Sequence, residues 1–295
     1  MSEPIDYTKA SEVANLLSCA AASMRSTSSR VGCTVHLPDT GSLLIAGDLH
    51  DHLPNFMRII GAADLSDPSK HLVLQELIHG PTLVHNCDMS WRMLTRVSKL
   101  LLEYPGRVHP LLGNHENSQL TGVGVTKGGG NSVEQFEDGL AMSFGEEWES
   151  VAASVDDFLQ SMPLAVRTAS GVQCTHSLPN AALTKRFDPS LLDREMSEDD
   201  RRGPTGSAYL LTWGRQFTDD QVDELRTAWG VRCFVIGHVQ IEAGVRRMGE
   251  HVMALASDQE SGAVLQVDLA QEPSVDAMFA AAQPIQLLPA WEPTR

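Results

Sequence analysis

No apolar stretch in this 295-residue chain approaches the roughly 18 residues that a membrane-spanning helix needs. Lysine and arginine never form a run; "RR" at 201–202 and at 246–247 are only pairs. With a formal net charge of −16, the chain repels a polyanionic backbone, so neither nucleic acid nor a membrane is expected as a partner. Cysteine is sparse and unpaired in pattern. Five residues, at 19, 33, 87, 174 and 233, are odd in number and include no CxxC spacing, which argues against a disulfide framework and a thiolate metal knot. Cys174 in "VQCTH" and Cys233 in "RCFVIG" sit inside apolar runs and read as reduced, buried thiols. The segment "MSEPIDYTKASEVANLL" carries acids where a secretory leader would be basic, so a cytoplasmic location is expected.

What is present is an ordinary globular composition, 42% hydrophobic and 20% charged. Helical spacing over 11–25, with Ser11 as a cap, is followed by "VGCTVHLPDTGSLLIAG", read as a hairpin turning at "PDTG". "HLPNFMRIIGAA" reads as a helix opened by Pro54. Strand "HLVLQELI", helix "SWRMLTRVSKLLLEY" and strand "RVHPLLG" come next, then a glycine-rich stretch and a helical region over 132–161. "LAVRTASGVQCTH" reads as a hairpin and "TDDQVDELRTAWG" as a helix, before four short strands. The alternation predicts an α/β chain with mixed sheets and outer helices. Residues 1–41 and 42–268 are read as one domain, and 269–295 as a loosely packed C-terminal tail.

Five apolar runs end in chemistry. Asp48 and His50 follow "LLIAG", Glu76 follows "LVLQ", Asn114 and His115 follow "VHPLLG", His176 follows "VQCT", and His238 follows "CFVIG". One polar strand end is commonplace; five ligand-type ends on strands that converge at one sheet edge call for a shared purpose. Carboxylate, amide oxygen and imidazole suit Mn, Fe or Zn better than a soft metal. Two carboxylates, one amide and three imidazoles also exceed the needs of one tetrahedral ion, so two ions bridged by a carboxylate fit the set.

"GDLH", "GNHE", "MPLAVRTASGVQCTHSLP" and "FVIGH" resemble, in order and spacing, the calcineurin-like metallophosphoesterases. The branch most similar is that of phosphoprotein phosphatases, which includes bacterial serine/threonine phosphatases and symmetrical dinucleoside-tetraphosphatases. The resemblance implies two mixed β-sheets packed as a sandwich flanked by α-helices. It implies one metal on Asp48, His50 and a bridging acid, and a second on that acid, Asn114, His176 and His238. His115 is then the general acid, and a two-metal-activated hydroxide the nucleophile. Gln240, where many other members have histidine, favours the phosphoprotein-phosphatase set. The second motif departs from the pattern: "QELIHGP" puts Glu76 at the bridging position, His79 where a second acid is usual, and Gly80 where a phosphate-binding arginine often stands.

Arg215 in "YLLTWGRQF" is the candidate for the missing phosphate grip, and Lys127 in "TKGGG" is a second cationic candidate. His79 is read as a surface-loop imidazole, an extra ligand or a partner of His115; Asp51 as a helix cap or a histidine partner; and His52 as facing substrate or plain solvent. His71, His85, His109 and His251 read as surface or strand residues. The function implied is phosphomonoester hydrolysis on phosphoserine and phosphothreonine proteins. Dinucleoside polyphosphates or a small phosphoester are the alternative substrates, and a phosphatase-like binding protein with an impaired metal site is the alternative of another class.

Overall fold

Strands Ser42–Asp48, Lys70–Gln75 and Val108–Leu111 lie side by side and parallel, and Ala263–Asp268 runs antiparallel to the first of them. Ala282–Pro284 completes this five-stranded sheet at its outer edge. The structure, a computed structural model, describes residues 6–127 and 130–289. A seven-stranded sheet faces the first, in the order Arg30–Val31, Thr34–His36, Ala165–Arg167, Val172–Thr175, Cys233–Ile236, Val252–Leu255, Val245–Arg247.

Side-chain alternation along each strand builds the layers. Leu43, Ile45, Val73 and Leu111 of one sheet meet Val166, Val172, Cys174, Val235, Met253 and Leu255 of the other in a single buried cluster. The intervening residues, Leu44, Ala46, Leu72, Leu74, Phe234 and Ile236, point outward and pack under the helices. Cutting Leu72 or Leu74 back to alanine removes contacts on the helix side worth about 2–5 kcal/mol each. Ala10–Arg25 and Trp91–Glu103 belong to the helical cover, with Val13, Leu17, Trp91, Leu94 and Val97 buried. No helix among the described residues is long and apolar enough to cross a membrane.

Several local expectations are corrected. "PDTG" does not close a hairpin: Thr34–His36 and Ser42–Asp48 belong to different sheets, and Thr34–His36 pairs instead with Arg30–Val31 and Ala165–Arg167. Ser11 does not cap the first helix, whose N-cap is Lys9 without a side-chain bond. Asp51 does not cap the second helix, Leu53–Ala63; the His52 side chain accepts the Asn55 N–H, with Pro54 in the first turn and Asp64 ending the helix in a left-handed conformation. Nor is the C-terminal segment loosely packed, since Val275, Met278, Ile285 and Leu288 are buried and Ala282–Pro284 pairs with Ala263–Asp268. His71 and His109 do lie on strands, but buried rather than at the surface.

The consequence for function is positional. The three parallel strands end together, and Val172–Thr175 and Cys233–Ile236, also parallel, deliver their ends beside them. An isolated bridge from Asp48 to Ala256, with the Ser257 N–H 2.9 Å from the Asp48 carbonyl, ties the two sheets at that edge.

Candidate metal centre

Backbone conformation marks the edge first. Among the described residues, eight non-glycine positions have positive φ, and five of them, His50, Asp51, Glu76, His79 and His238, stand at these strand ends. Left-handed backbone costs of order 1–3 kcal/mol at such residues, so the surrounding structure must hold each one in place.

The ties that do so are on view. The Leu49 and His50 N–H groups donate to carbonyls of Gln75 and Glu76, and the Asp51 N–H to that of Leu77. The Glu116 carboxylate, fully buried, accepts the N–H of Leu77 at 2.7 Å, of Ile78 at 3.3 Å and of Gly113 at 3.1 Å. Burial nonetheless pushes its acidity below that of an ordinary glutamate. Gly237 is a close-approach position, because a Cβ there would strike the Asp48 carboxylate.

On this frame the Glu76 carboxylate becomes the meeting point. Its Oε2 lies 3.3 Å from His50 Nε2, and its Oε1 lies 3.7 Å from both His115 Nε2 and His176 Nε2. His50 Nδ1 faces the Ile78 carbonyl at 3.1 Å; a carbonyl only accepts, so the proton sits on Nδ1 and the Nε2 lone pair is turned toward Glu76. Asn114 Oδ1 draws His176 Nε2 to 2.9 Å and His238 Nδ1 to 2.8 Å. The Asp48 carboxylate takes the His238 backbone N–H at 2.8 and 3.0 Å and lies 3.7 Å from His176 Nδ1.

Among the described residues, two groups have ligand atoms close enough to share an ion: His50, Glu76 and His115, and Glu76, His176 and His238, each within 4.8 Å. Glu76 belongs to both. His115 thus sits inside the first cluster, while Asp48 falls in neither. The chemistry of the donors fits cations. Burial holds His176 well below the ordinary imidazole range and His238 at about 3, so both are neutral, the form that donates a lone pair. His238 Nε2 is buried without a hydrogen-bond partner among the described residues. The Asp48 and Glu76 carboxyls touch, and burial raises the pKa of Asp48; a nearby cation relieves that cost.

Above this floor lies a cleft of about 620 Å³ lined by Asp48, His50, Glu76, Asn114, His115, Arg215 and His238, together with Gln240, Asp258 and Gln259. Arg215 is exposed on its wall, its backbone N–H held by Asn180 Oδ1 at 2.8 Å. His79 is neither a surface residue nor part of the cleft wall: it is 2% exposed and rests its ring 5.4 Å from that of His115. Asp51 and His52 do not line the cleft. Lys127 ends the short strand Thr126–Lys127, and its side chain lies outside the described residues. At Gly80 a Cβ would lie 2.5 Å from the His50 carbonyl oxygen, so a side chain there would press on the loop carrying His50. Asp258 was not anticipated, although it follows the apolar run "HVMALAS" as the other loaded residues follow theirs.

Comparison with known proteins bears on the fold and the family. The fold resembles a protein serine/threonine phosphatase from Saccharomyces cerevisiae described as similar to human phosphatase PP5, with a TM-score of 0.65 and 17% identity over 88% of this chain and 83% of that one. It also resembles a cold-active protein-tyrosine phosphatase from a psychrophilic Shewanella species, with a TM-score of 0.54 and 15% identity over 82% and 78% of the two chains. At such identities the likeness is one of fold. Comparison with curated proteins finds no match. The sequence model of the calcineurin-like phosphoesterase family matches residues 41–242, well over half of the chain. The chain therefore belongs to the calcineurin-like phosphoesterase family and is a metal-dependent phosphoester hydrolase.

Proposed function

We propose that the chain is a phosphomonoesterase acting on phosphoserine and phosphothreonine side chains of proteins. The observation that carries the reading is the single carboxylate of Glu76, shared between two imidazole groups on the floor of a cleft open to a protruding side chain. Asp48, His50 and Glu76 would hold one ion, and Glu76, Asn114, His176 and His238 the other. The oxygen and nitrogen donors, with no thiolate among them, suit Mn, Fe or Zn. Bound divalent ions supply Lewis-acid charge and lower the pKa of water.

The chain's own residues do the rest. Arg215, on the cleft wall, neutralises phosphate oxygens and orients the ester. His115, with Nε2 in the cluster, gives its proton to the departing serine or threonine oxygen. The fold is one that a serine/threonine phosphatase also uses.

The test is a panel of phosphopeptides, p-nitrophenyl phosphate and diadenosine tetraphosphate, run with manganese, iron and zinc. Phosphoserine and phosphothreonine peptides should give the highest kcat/KM, and His115→Ala should lower it by about 10²-fold or more. Preference for the dinucleotide moves the enzyme to the other substrate class. Metal content near zero after purification without chelator, and no turnover with any added ion, would leave only a binding scaffold.

A further inference from the structure

Asp88 lies outside the cleft, on the short strand Cys87–Asp88, and is 2% exposed. Its Oδ2 sits 2.9 Å from Nδ1 of His79, which is equally buried. Its Oδ1 accepts the Ser90 N–H at 2.8 Å, and the Ser90 hydroxyl accepts the backbone N–H of His79 at 3.1 Å. Residues 88–90 therefore grip His79 twice, once at the ring and once at the backbone, and hold it at a φ of 60°. The edge of Phe136, 5.7 Å away, packs against the same ring. Gly139, in helix Ser132–Phe144, lets that helix close over the strand, since a Cβ there would strike the Asp88 carbonyl.

This apparatus fixes a ring that lies against a residue of the cleft wall, His115. The His79 ring lies 5.4 Å from that of His115 at a 53° tilt, and His50 stands 4.9 Å from His115, nearly perpendicular to it. A carboxylate only accepts, so Asp88 keeps the His79 proton on Nδ1 and sets the plane of the ring. We propose that Asp88 is a positioning residue for phosphoester cleavage: by locking His79, it holds the His115 ring in the orientation that delivers a proton to the leaving oxygen. This rests on the reading of His115 as proton donor.

The experiment separates the two claims by leaving group. Phenolate is the poorer leaving group and needs the proton, whereas p-nitrophenolate departs with little help. His115→Asn should lose about 10²-fold or more in kcat on phenyl phosphate and clearly less on p-nitrophenyl phosphate. Asp88→Asn should show the same skew, about tenfold or more on phenyl phosphate, with KM and bound metal unchanged. Asp88→Glu should recover part of the loss. A His115→Asn variant without skew overturns the proton-donor reading and this inference with it. A skew in His115→Asn but an equal loss, or none, on both esters in Asp88→Asn overturns the inference alone. Where Asp88→Asn does not fold, His79→Asn carries the same test, and a uniform loss there is equally decisive against it.

Discussion

Glu116 holds Leu77 by its backbone, with Oε1 2.7 Å from the Leu77 N–H, and so fixes the loop that begins with Glu76. The same carboxylate takes the N–H groups of Ile78 and Gly113, and is therefore a strut between two of the loaded strand ends. Glu116→Ala leaves three buried N–H groups without partners, at about 1–3 kcal/mol each. The expected outcome is a melting temperature lower by roughly 5–10 °C, together with weaker metal retention. Glu116→Gln, which keeps one acceptor oxygen, should lose less on both counts. Differential scanning calorimetry and metal analysis of the purified variants check both.

Glu76 reaches its imidazole neighbours only with its full length, at 3.3 Å on one oxygen and 3.7 Å on the other. Glu76→Asp keeps the charge but withdraws it by about an ångström, a displacement that costs on the order of 10²-fold where geometry is this tight. Turnover should drop by that order and bound metal should fall below two ions per chain. A variant that keeps both ions and full activity would show that the carboxylate is not shared.

Gly80→Arg should not create a phosphate grip. Its Cβ would press on the His50 carbonyl at 2.5 Å and on Asp51 Cβ at 3.0 Å, so the loop carrying His50 has to shift. Lower thermal stability and lower kcat/KM are expected together. Arg215→Ala, by contrast, should leave the melting temperature within a degree or two, since the residue is exposed, and cut kcat/KM by about 10²-fold.

Acid should weaken the fold through a pair that does not line the cleft. His71 and His109 stack with ring centres 5.5 Å apart, Nδ1 of one 3.2 Å from Nε2 of the other. Burial depresses His109 to about 3 and also lowers His71. Between the unfolded value near 6.5 and that depressed value the unfolded chain binds more protons, so stability falls as pH falls across this window. By pH 4 the loss from His109 reaches about 3 kcal/mol. Denaturant titrations from pH 7 to pH 4 should show it, and His109→Gln, which keeps a hydrogen-bonding group without the titration, should flatten the slope.

Much of the candidate centre was legible because an apolar run cut short by a ligand-type side chain is a local signal, and Asp48, Glu76, Asn114, His176 and His238, which the fold brings together, all carry it. Asp258 carries it too, after Val252–Leu255, and should have been read by the same rule. Other features leave no local trace. "PDTG" holds every residue a hairpin turn asks for, yet nothing nearby states that the flanking strands join different sheets. His79 reads as one more loop imidazole until its burial and its contact with Asp88 are seen. Asp88 itself ends the two-residue strand Cys87–Asp88, too short for any period to show in the sequence. The fold class, in contrast, follows from the alternation of strand and helix periods over long segments, a pattern no single residue can spoil.

The C-terminal strap gives the enzyme a remote point of vulnerability. Ala282–Pro284 hydrogen-bonds along Ala263–Asp268, which in turn flanks the strand ending in Asp48. The Ile285 N–H donates to the Gly262 carbonyl and the Gln286 amide to that of Glu260, so the same strap pins the loop bearing Asp258, while Arg58 clasps the Leu288 carbonyl from the second helix. A protease nick ahead of Val275 would unbutton this seam, and the cleft would lose the rigidity of one wall without any cut falling near it.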